Sequence, residues 1–175
     1  MKMEIVEADL DSAEHARDVV ALTAAYACDS MGNGGPLAAD VMDRLVPALR
    51  AHPTTRIFLL YRAGRAVAIA TCFLGFSTFQ ARPLLNIHDF AVLSSERRAG
   101  LGKLLMEAVV AKAAELGCCK VTLEVQENNH PARRLYERIG FAQAVYGETT
   151  GGSLFYSMQL SPNNALQATC ENTRA

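Results

Sequence analysis

The stretch that decides the fold is Ser94-Ser-Glu-Arg-Arg-Ala-Gly-Leu-Gly-Lys103. It follows an apolar segment, and residues 101–116 after it carry leucine, alanine and valine at helical spacing. Gly100 and Gly102 allow a tight turn that exposes successive backbone N–H groups at the start of this helix. Such a helix start, with free donors and a positive dipole end, binds anions. The segment therefore predicts a phosphate-binding loop, although two glycines alone are also consistent with a softened helix start bearing solvated arginines.

The spacing of this loop differs from that of other phosphate loops. The sequence contains neither the GxxxxGK[ST] pattern of nucleoside-triphosphate loops nor the GxGxxG pattern of dinucleotide-binding folds. What it contains is Arg97-x-x-Gly100-x-Gly102.

A second motif follows about thirty residues later, Asn129-His-Pro-Ala-Arg-Arg-Leu-Tyr136-Glu-Arg-Ile-Gly-Phe141. The pattern R/Q-x-x-G-x-G/A, then a strand, then N-x-x-A-x-x-L-Y-x-x-x-G-F resembles the GNAT superfamily of N-acetyltransferases. The element order over residues 3–160 fits the same family, so the resemblance covers nearly the whole chain.

Periodicity and turn residues predict the order β-α-α-β-β-β-α-β-α-β-β, a single α+β (mixed α/β) domain over residues 1–160 with a frayed tail at 161–175. The resemblance implies a central mixed, mostly antiparallel sheet flanked by helices. Strands are predicted at 3–8, 57–61, 66–74, 84–93, 120–126, 141–146 and 154–160. Helices are predicted from a cap at Asp11 or Ser12 to about residue 28, at 37–51 (bent or shortened near Pro47), at 100–116 and at 131–140, with loops at 31–36 and 75–83.

The resemblance implies a binding site for acetyl-CoA as co-substrate. The backbone of the loop would hold its pyrophosphate, and the strand before the loop would pair with the pantetheine arm where it splays from the strand at 120–126. Asn129 would hydrogen-bond the pantetheine amides, and Ala132 is small where the arm passes. The implied cofactor residues are Phe90, Ala91, Val92, Arg97, Arg98, Ala99, Gly100, Leu101, Gly102, Lys103, Asn129 and Ala132.

Tyr136 matches the family's tyrosine beside the thioester sulfur, where it donates a proton to the departing thiolate. A phenol with a pKa of about 10 can serve as such a donor at neutral pH. The alternative is that Tyr136 only packs, since it lies one helical turn from Ala132.

The acceptor amine needs a group that removes its proton, because an alkylammonium has a pKa of about 10.4. Asn86 stands where related enzymes carry a glutamate, and an amide cannot take up the proton. The candidates that remain on the strand before the loop are His88 and Asp89. Strand alternation would place Asn86, His88 and Phe90 on one face and Asp89 on the other, and an imidazole of pKa near 6.5 favours His88. Glu124 is a third candidate.

Composition restricts the partners. The 175 residues carry 17 basic and 18 acidic side chains, which gives no general argument for nucleic acid or an anionic membrane. Residues 97–138 are locally basic, with eight Lys or Arg against five Asp or Glu, which suits a polyanionic cofactor. The longest apolar stretch, Ala66 to Phe76, is too short to span a bilayer, and the acid-rich N-terminus predicts a cytoplasmic protein. No metal motif is present, and the family leaves a homodimer open.

The sequence thus predicts an N-acetyltransferase in which a primary amine, small-molecule or peptide, attacks acetyl-CoA directly in a ternary complex. Phe76, Phe79 and Arg82 of the 75–83 loop could line the acceptor side or cover the core edge. The competing hypothesis is a non-catalytic acyl-CoA-binding or sensing module on the same fold, which would need no proton donor or base.

Overall fold

A computed structural model describes residues 2–143 of the chain. Within this part, nine strands and α-helices follow in the predicted order, with a 3₁₀ turn at Ser94–Glu96 between the fourth strand and the third helix. The predicted strand at 154–160 and the tail at 161–175 lie outside the described residues, and of the predicted strand at 141–146 only 141–143 are described, without regular structure. The strands are β1 (Met3–Glu7), β2 (Thr55–Arg62), β3 (Arg65–Ser77), β4 (Arg82–Val92) and β5 (Val121–Leu123); the helices are α1 (Ala13–Ala27), α2 (Ala39–Ala51), α3 (Leu101–Glu115) and α4 (His130–Ile139).

The five strands form one sheet in the order β1-β2-β3-β4-β5. Neighbouring strands are antiparallel except β4 and β5, which pair in parallel. The predicted mixed, mostly antiparallel sheet is therefore confirmed. Because β4 and β5 are parallel and joined through α3, their carboxyl ends lie at the same edge of the sheet.

Helices cover both faces of the sheet, and each face has its own core. On one face α1 and α2 place Val19, Leu22 and Val46 against Ile57 and Ile69. Each fully buried aliphatic side chain of this kind contributes about 1.5–3 kcal/mol. The other face is covered by α3 and α4 through the buried residues Leu101, Leu105, Met106, Val109, Ala113 and Tyr136.

Capping fixes where two of the helices begin. Ser12 is the N-cap of α1, and its Oγ accepts the N–H of His15 at 3.5 Å. Asn129 caps α4 in the same way, followed by proline at the first turn. Of the two effects predicted for Pro47, a bend or a shortened helix, the shortening is not observed: α2 continues to Ala51, with Pro47 exposed and its neighbour Val46 buried.

Two boundaries differ from the sequence prediction. Strand β5 ends at Leu123 rather than 126, so the apolar alternation that included Val125 continues beyond the hydrogen-bonded ladder. The predicted loop at 75–83 is mostly strand, because β3 and β4 form a long hairpin whose turn is confined to 78–81. Phe79 at this turn is 96% exposed.

Candidate functional site

An irregularity in β4 determines which side chains face which helices. Thr71 of β3 lies opposite Asp89, but the next residue, Cys72, lies opposite Ile87, so His88 is an extra residue without a partner. This is a β-bulge. The predicted strict alternation is therefore wrong: Ile87 and Phe90 both pack with α3 and α4, whereas Asp89 lies opposite Thr71 on the α1 side.

Beyond the bulge, β4 and β5 no longer pair. Their ladder ends at Ile87 and Leu123, while β4 continues to Val92, so one edge of the strand opens onto a gap. The N–H of Leu93 bonds to Val67 of β3, and by the alternation of an antiparallel ladder Ala91 also faces β3 while Phe90 and Val92 face the gap. Of the three predicted pantetheine-pairing residues, two thus present their backbone to the gap, and Ala91 does not.

The loop before α3 has the donors expected of an anion site. Within the described residues, no acceptor is found for the backbone N–H groups of residues 98–103, and the first bonded amide is that of Leu104, which donates to the Gly100 carbonyl. Arg98 and Gly100 adopt left-handed φ angles of 65° and 80°, a conformation in which successive N–H groups converge. We call residues 98–103 the cradle; six free donors at a helix start fit a pyrophosphate.

The charged side chains around the cradle differ in their partners. The Arg97 guanidinium donates from Nε to the Val92 carbonyl at 3.0 Å and from Nη2 to Asp29 Oδ2 at 2.6 Å. Lys103 forms an exposed pair with Glu107 at 3.2 Å, one helical turn along α3. Arg98 is exposed. Arg97 is therefore held beside the end of β4, while Lys103 and Arg98 lie at the solvent side of the cradle.

Helix α4 brings the second motif to the same gap. Asn129 accepts the Ala132 N–H on its Oδ1 at 3.3 Å, which leaves its amide NH₂ group for a ligand. Ala132 and Leu135 pack against the core beneath α3 and α4. Gly102 at the start of α3 faces Leu135, Phe90 and Val92, so the cradle, α4 and the gap are adjacent.

Tyr136 is buried, with 8% of its surface exposed. Its ring lies between Phe90, at a centroid distance of 6.2 Å, and Phe141, at 6.0 Å. Burial raises the pKa of its phenol to about 12, with a smaller contribution from Tyr26. The hydroxyl is therefore protonated at every pH at which the protein would work.

His88 and Asp89 lie in different surroundings at the bulge. His88 is exposed, and its ring contacts Phe73 edge-on at 5.7 Å. Asp89 is half-buried, and loss of hydration raises the pKa of its carboxyl, an effect that the neighbouring His88 reduces. The carboxyl is close enough to Tyr26 of α1 to help raise the pKa of that phenol, after burial. A carboxylate with a raised pKa is the stronger base.

The remaining candidate residues are not part of the cluster formed by the gap, the cradle and Tyr136. Asn86 donates to Thr122 Oγ1 at 3.0 Å and thereby joins β4 to β5. Glu124 is exposed beyond the end of β5, with no hydrogen bond or ion pair among residues 2–143. Phe76 and Phe79 lie near the hairpin turn, at the end of β4 opposite the gap.

Three residues of the site were missed by sequence reasoning. None of the three, Tyr26, Asp29 and Gln126, belongs to a motif in the sequence. Asp29 meets Arg97 from 68 residues away, and Gln126 Nε2 donates to the Met31 carbonyl at 3.4 Å from 95 residues away. The glycines and the proline of residues 31–36 predict a loop, but nothing in the neighbouring sequence shows what that loop contacts.

Two features are absent from residues 2–143. No group of three or more His, Cys, Asp or Glu side chains is arranged to hold a metal ion in this part of the chain. None of its helices combines the length and the apolar character needed to cross a membrane.

Two proteins of known activity are similar in sequence to part of this chain. Glucosamine 6-phosphate N-acetyltransferase of Trypanosoma brucei brucei is 34% identical over 93 residues, 53% of this chain and 61% of that protein. The [ribosomal protein bS18]-alanine N-acetyltransferase of Haemophilus influenzae is 35% identical over 72 residues, 38% and 49% of the two chains. The matches thus span roughly half the length of these relatives.

The crystal structure of ribosomal-protein-alanine N-acetyltransferase from Brucella melitensis biovar Abortus 2308 shares the fold. It superposes with a TM-score of 0.68 at 18% identity, covering 91% of this chain and 100% of that one. A sequence model of the acetyltransferase (GNAT) family matches residues 22–141, which include the end of α1, the bulge, the cradle and α4. The chain therefore belongs to the GNAT family of acetyltransferases.

Proposed function

We propose that this protein transfers the acetyl group of acetyl-CoA to a primary amine by direct attack in a ternary complex. The observation that carries the proposal is the meeting of three features at one end of β4. These are the free N–H groups of the cradle, the open backbone edge of Phe90 and Val92, and the buried Tyr136 packed on Phe90. The cradle suits a pyrophosphate, the open strand edge suits an amide-bearing arm, and the Tyr136 hydroxyl suits a departing thiolate.

The binding roles follow from which groups are free. The cradle would hold the pyrophosphate through backbone N–H groups, with Lys103 and Arg98 supplying charge from the solvent side. The backbone of Phe90 and the N–H of Val92, together with the Asn129 amide, would hydrogen-bond the pantetheine amides, while the Val92 carbonyl stays bonded to Arg97. Acetyl-CoA supplies the activated thioester carbonyl that the amine attacks.

Asp89 is proposed as the base that takes the proton of the acceptor amine. Burial raises its pKa, which brings its basicity closer to that of the amine. The bulge turns it toward α1, away from the core beneath α3 and α4. His88 is adjacent and exposed, so it would pass the proton on to solvent.

Tyr136 is proposed to donate a hydrogen bond to the departing sulfur rather than to surrender its proton. With a pKa of about 12, its phenol is a weaker acid than a thiol of about 8.5, so complete transfer would be unfavourable. A hydrogen bond to an anion in a dry site still stabilises the developing charge.

The acceptor is proposed to be a small-molecule or peptide amine, and the reaction is proposed to occur in the cytoplasm. The relatives' names, an amino sugar phosphate acetyltransferase and a protein-alanine acetyltransferase, support an amine acceptor of either kind. The proposal does not depend on whether the protein is a monomer or a homodimer.

The test combines binding with turnover. Acetyl-CoA is titrated into the purified protein by calorimetry, and thiol release is then followed over a panel of amines that includes glucosamine 6-phosphate and peptides with N-terminal alanine. Acceptor-dependent thiol release supports the enzyme. Tight binding with no acceptor-dependent release across the panel favours the sensing module, and absence of binding refutes both.

A further inference from the structure

The segment of residues 29–31 in the connection between α1 and α2 is folded back on the end of α1. The Asp29 N–H donates to the Tyr26 carbonyl at 2.9 Å, and the Tyr26 hydroxyl donates to the Met31 carbonyl at 3.4 Å. A Cβ atom at Gly32 would lie 2.0 Å from the Tyr26 carbonyl oxygen, so only glycine allows this close return. The position of the segment is therefore set by α1.

This segment contacts both sides of the gap. Asp29 Oδ2 is 2.6 Å from Arg97 Nη2, and the Met31 carbonyl accepts from Gln126 Nε2 at 3.4 Å. Arg97 follows β4 and Gln126 follows β5. Because the gap opens between these two strands, residues 29–31 bridge the chain segments that leave its two sides.

The contact with Arg97 joins a largely buried carboxylate to a partly exposed guanidinium. Only 15% of the Asp29 side chain is exposed. A hydrogen bond from the Met31 N–H, and then Arg97, hold the pKa of the Asp29 carboxyl below its usual range, so it is ionised at neutral pH. With Nε on the Val92 carbonyl, the guanidinium is fixed at two points.

We propose that Asp29 is a positioning residue that couples the occupancy of the cradle to the order of the connection at residues 28–38. This rests on the proposed function, in which the cradle binds the pyrophosphate. Arg97 directly precedes the cradle, so an anion bound there restrains the Arg97 backbone, and the ion pair passes that restraint to Asp29. In the same arrangement Asp29 neutralises the Arg97 charge and so moderates the attraction for the cofactor.

The experiment uses the full chain, coenzyme A as the probe, and two readouts. Hydrogen exchange of peptides covering 28–38 is measured with and without coenzyme A, and its affinity is measured by calorimetry. In the wild type, exchange should slow about fivefold on binding. In Asp29→Asn this slowing should disappear, while coenzyme A binds as tightly as before or more tightly, because Arg97 keeps its charge without an anionic partner.

Two further variants make the result decisive. Asp40→Asn removes one charge and one exposed ion pair, with Arg44 at 2.7 Å, and should behave like the wild type. Arg97→Gln removes the same link from the other side and should lose the slowing but bind coenzyme A more weakly. A role confined to folding would weaken binding in Asp29→Asn as well.

The proposal is wrong if Asp29→Asn retains the slowing, if it binds coenzyme A as weakly as Arg97→Gln, or if wild-type exchange at 28–38 does not respond although coenzyme A binds. If the wild type fails to bind coenzyme A at all, the proposed function itself is refuted. The two failures are therefore distinguishable.

Discussion

Ile87 and Phe90 lie three residues apart in β4, yet both side chains pack into the same core beneath α3 and α4. In a regular strand, residues an odd number apart face opposite sides. The extra residue His88 accounts for the difference, because Thr71 pairs with Asp89 and Cys72 with Ile87. One inserted residue therefore moves the Asp89 carboxyl to the α1 side and turns the amides after it toward the gap.

Replacing Asp89 by asparagine should lower kcat by about 100-fold, the usual effect of losing a general base. Because burial raises the pKa of Asp89, the wild-type rate should rise with pH until that raised pKa is passed. The variant should lack this rise. The pH profile of acetyl transfer to the best amine of the panel measures both effects.

The matched control for that change is His88→Gln, which alters the exposed neighbour at the bulge. It should reduce turnover less than Asp89→Asn and keep the rise with pH. If His88→Gln abolishes the pH dependence while Asp89→Asn preserves it, the roles assigned to the two residues are reversed.

The same Asp89→Asn substitution should stabilise the protein near neutral pH. The folded protein retains the Asp89 proton at pH values where the unfolded chain, with a pKa of about 3.9, has lost it. Such a group makes the free energy of unfolding fall as the pH rises from the unfolded to the folded pKa. Urea unfolding at pH 7 should therefore show a higher midpoint for the variant, and at pH 3 the difference should vanish. An equal midpoint at pH 7 would contradict the burial argument.

Tyr136→Phe should lower kcat by about 100-fold, comparable to the loss of one donor to a developing anion. The affinity for acetyl-CoA should stay within about twofold, because the ring packing on Phe90 and Phe141 is preserved. With a pKa of about 12, wild-type Tyr136 should cause no loss of activity up to about pH 10. Unchanged turnover in the variant would limit Tyr136 to a packing role.

The sequence predicted those features that depend on residues close to one another along the chain. The cradle combines glycines, a helix start and free donors within one short segment, and Tyr136 follows a helical motif. The bulge could not be predicted, since it depends on the register between β3 and β4, and strict alternation placed Ile87 and Phe90 on opposite faces although both pack in the same core. The hairpin was mistaken for a loop because Gly75 and the polar residues after it resemble a turn, whereas pairing with β4 keeps them extended.

The long-range links were also beyond local reasoning. Asp29, in a glycine-rich connection, finds Arg97 only through the packing of α1 on the sheet. Gln126 lies beyond the end of β5, outside the strand pairing, where its side chain contacts the Met31 carbonyl. A loop prediction from glycines and proline locates the connection but gives no partner for it.

Glu96→Gln should weaken acetyl-CoA binding by about threefold to tenfold. Glu96 lies in the turn before the cradle and joins it to the β2–β3 hairpin through Arg62 at 2.8 Å and Arg65 at 3.7 Å. Loss of this anchor should let the cradle donors diverge, while kcat at saturating cofactor stays the same. Glu4→Gln, which breaks an exposed pair with Lys2, is the control and should bind normally. Equal affinity in both variants would show that the anchor has no effect on the cradle.

Gly100→Ala should both destabilise the protein and weaken acetyl-CoA binding, and its control lies at the other end of the same helix. Gly100 and Gly117 have φ angles of +80° and +69°, and a Cβ atom at either would meet nothing within 4 Å. Alanine at each should therefore cost about 1–2 kcal/mol through backbone strain alone. Only Gly100→Ala should raise the Kd of acetyl-CoA, by about tenfold or more. The backbone at residue 100 would relax to relieve the strain, and this change would turn the cradle N–H groups away from the pyrophosphate. Calorimetry and urea unfolding of both variants give the comparison, and a similar Kd in the two would argue against backbone binding by residues 98–103.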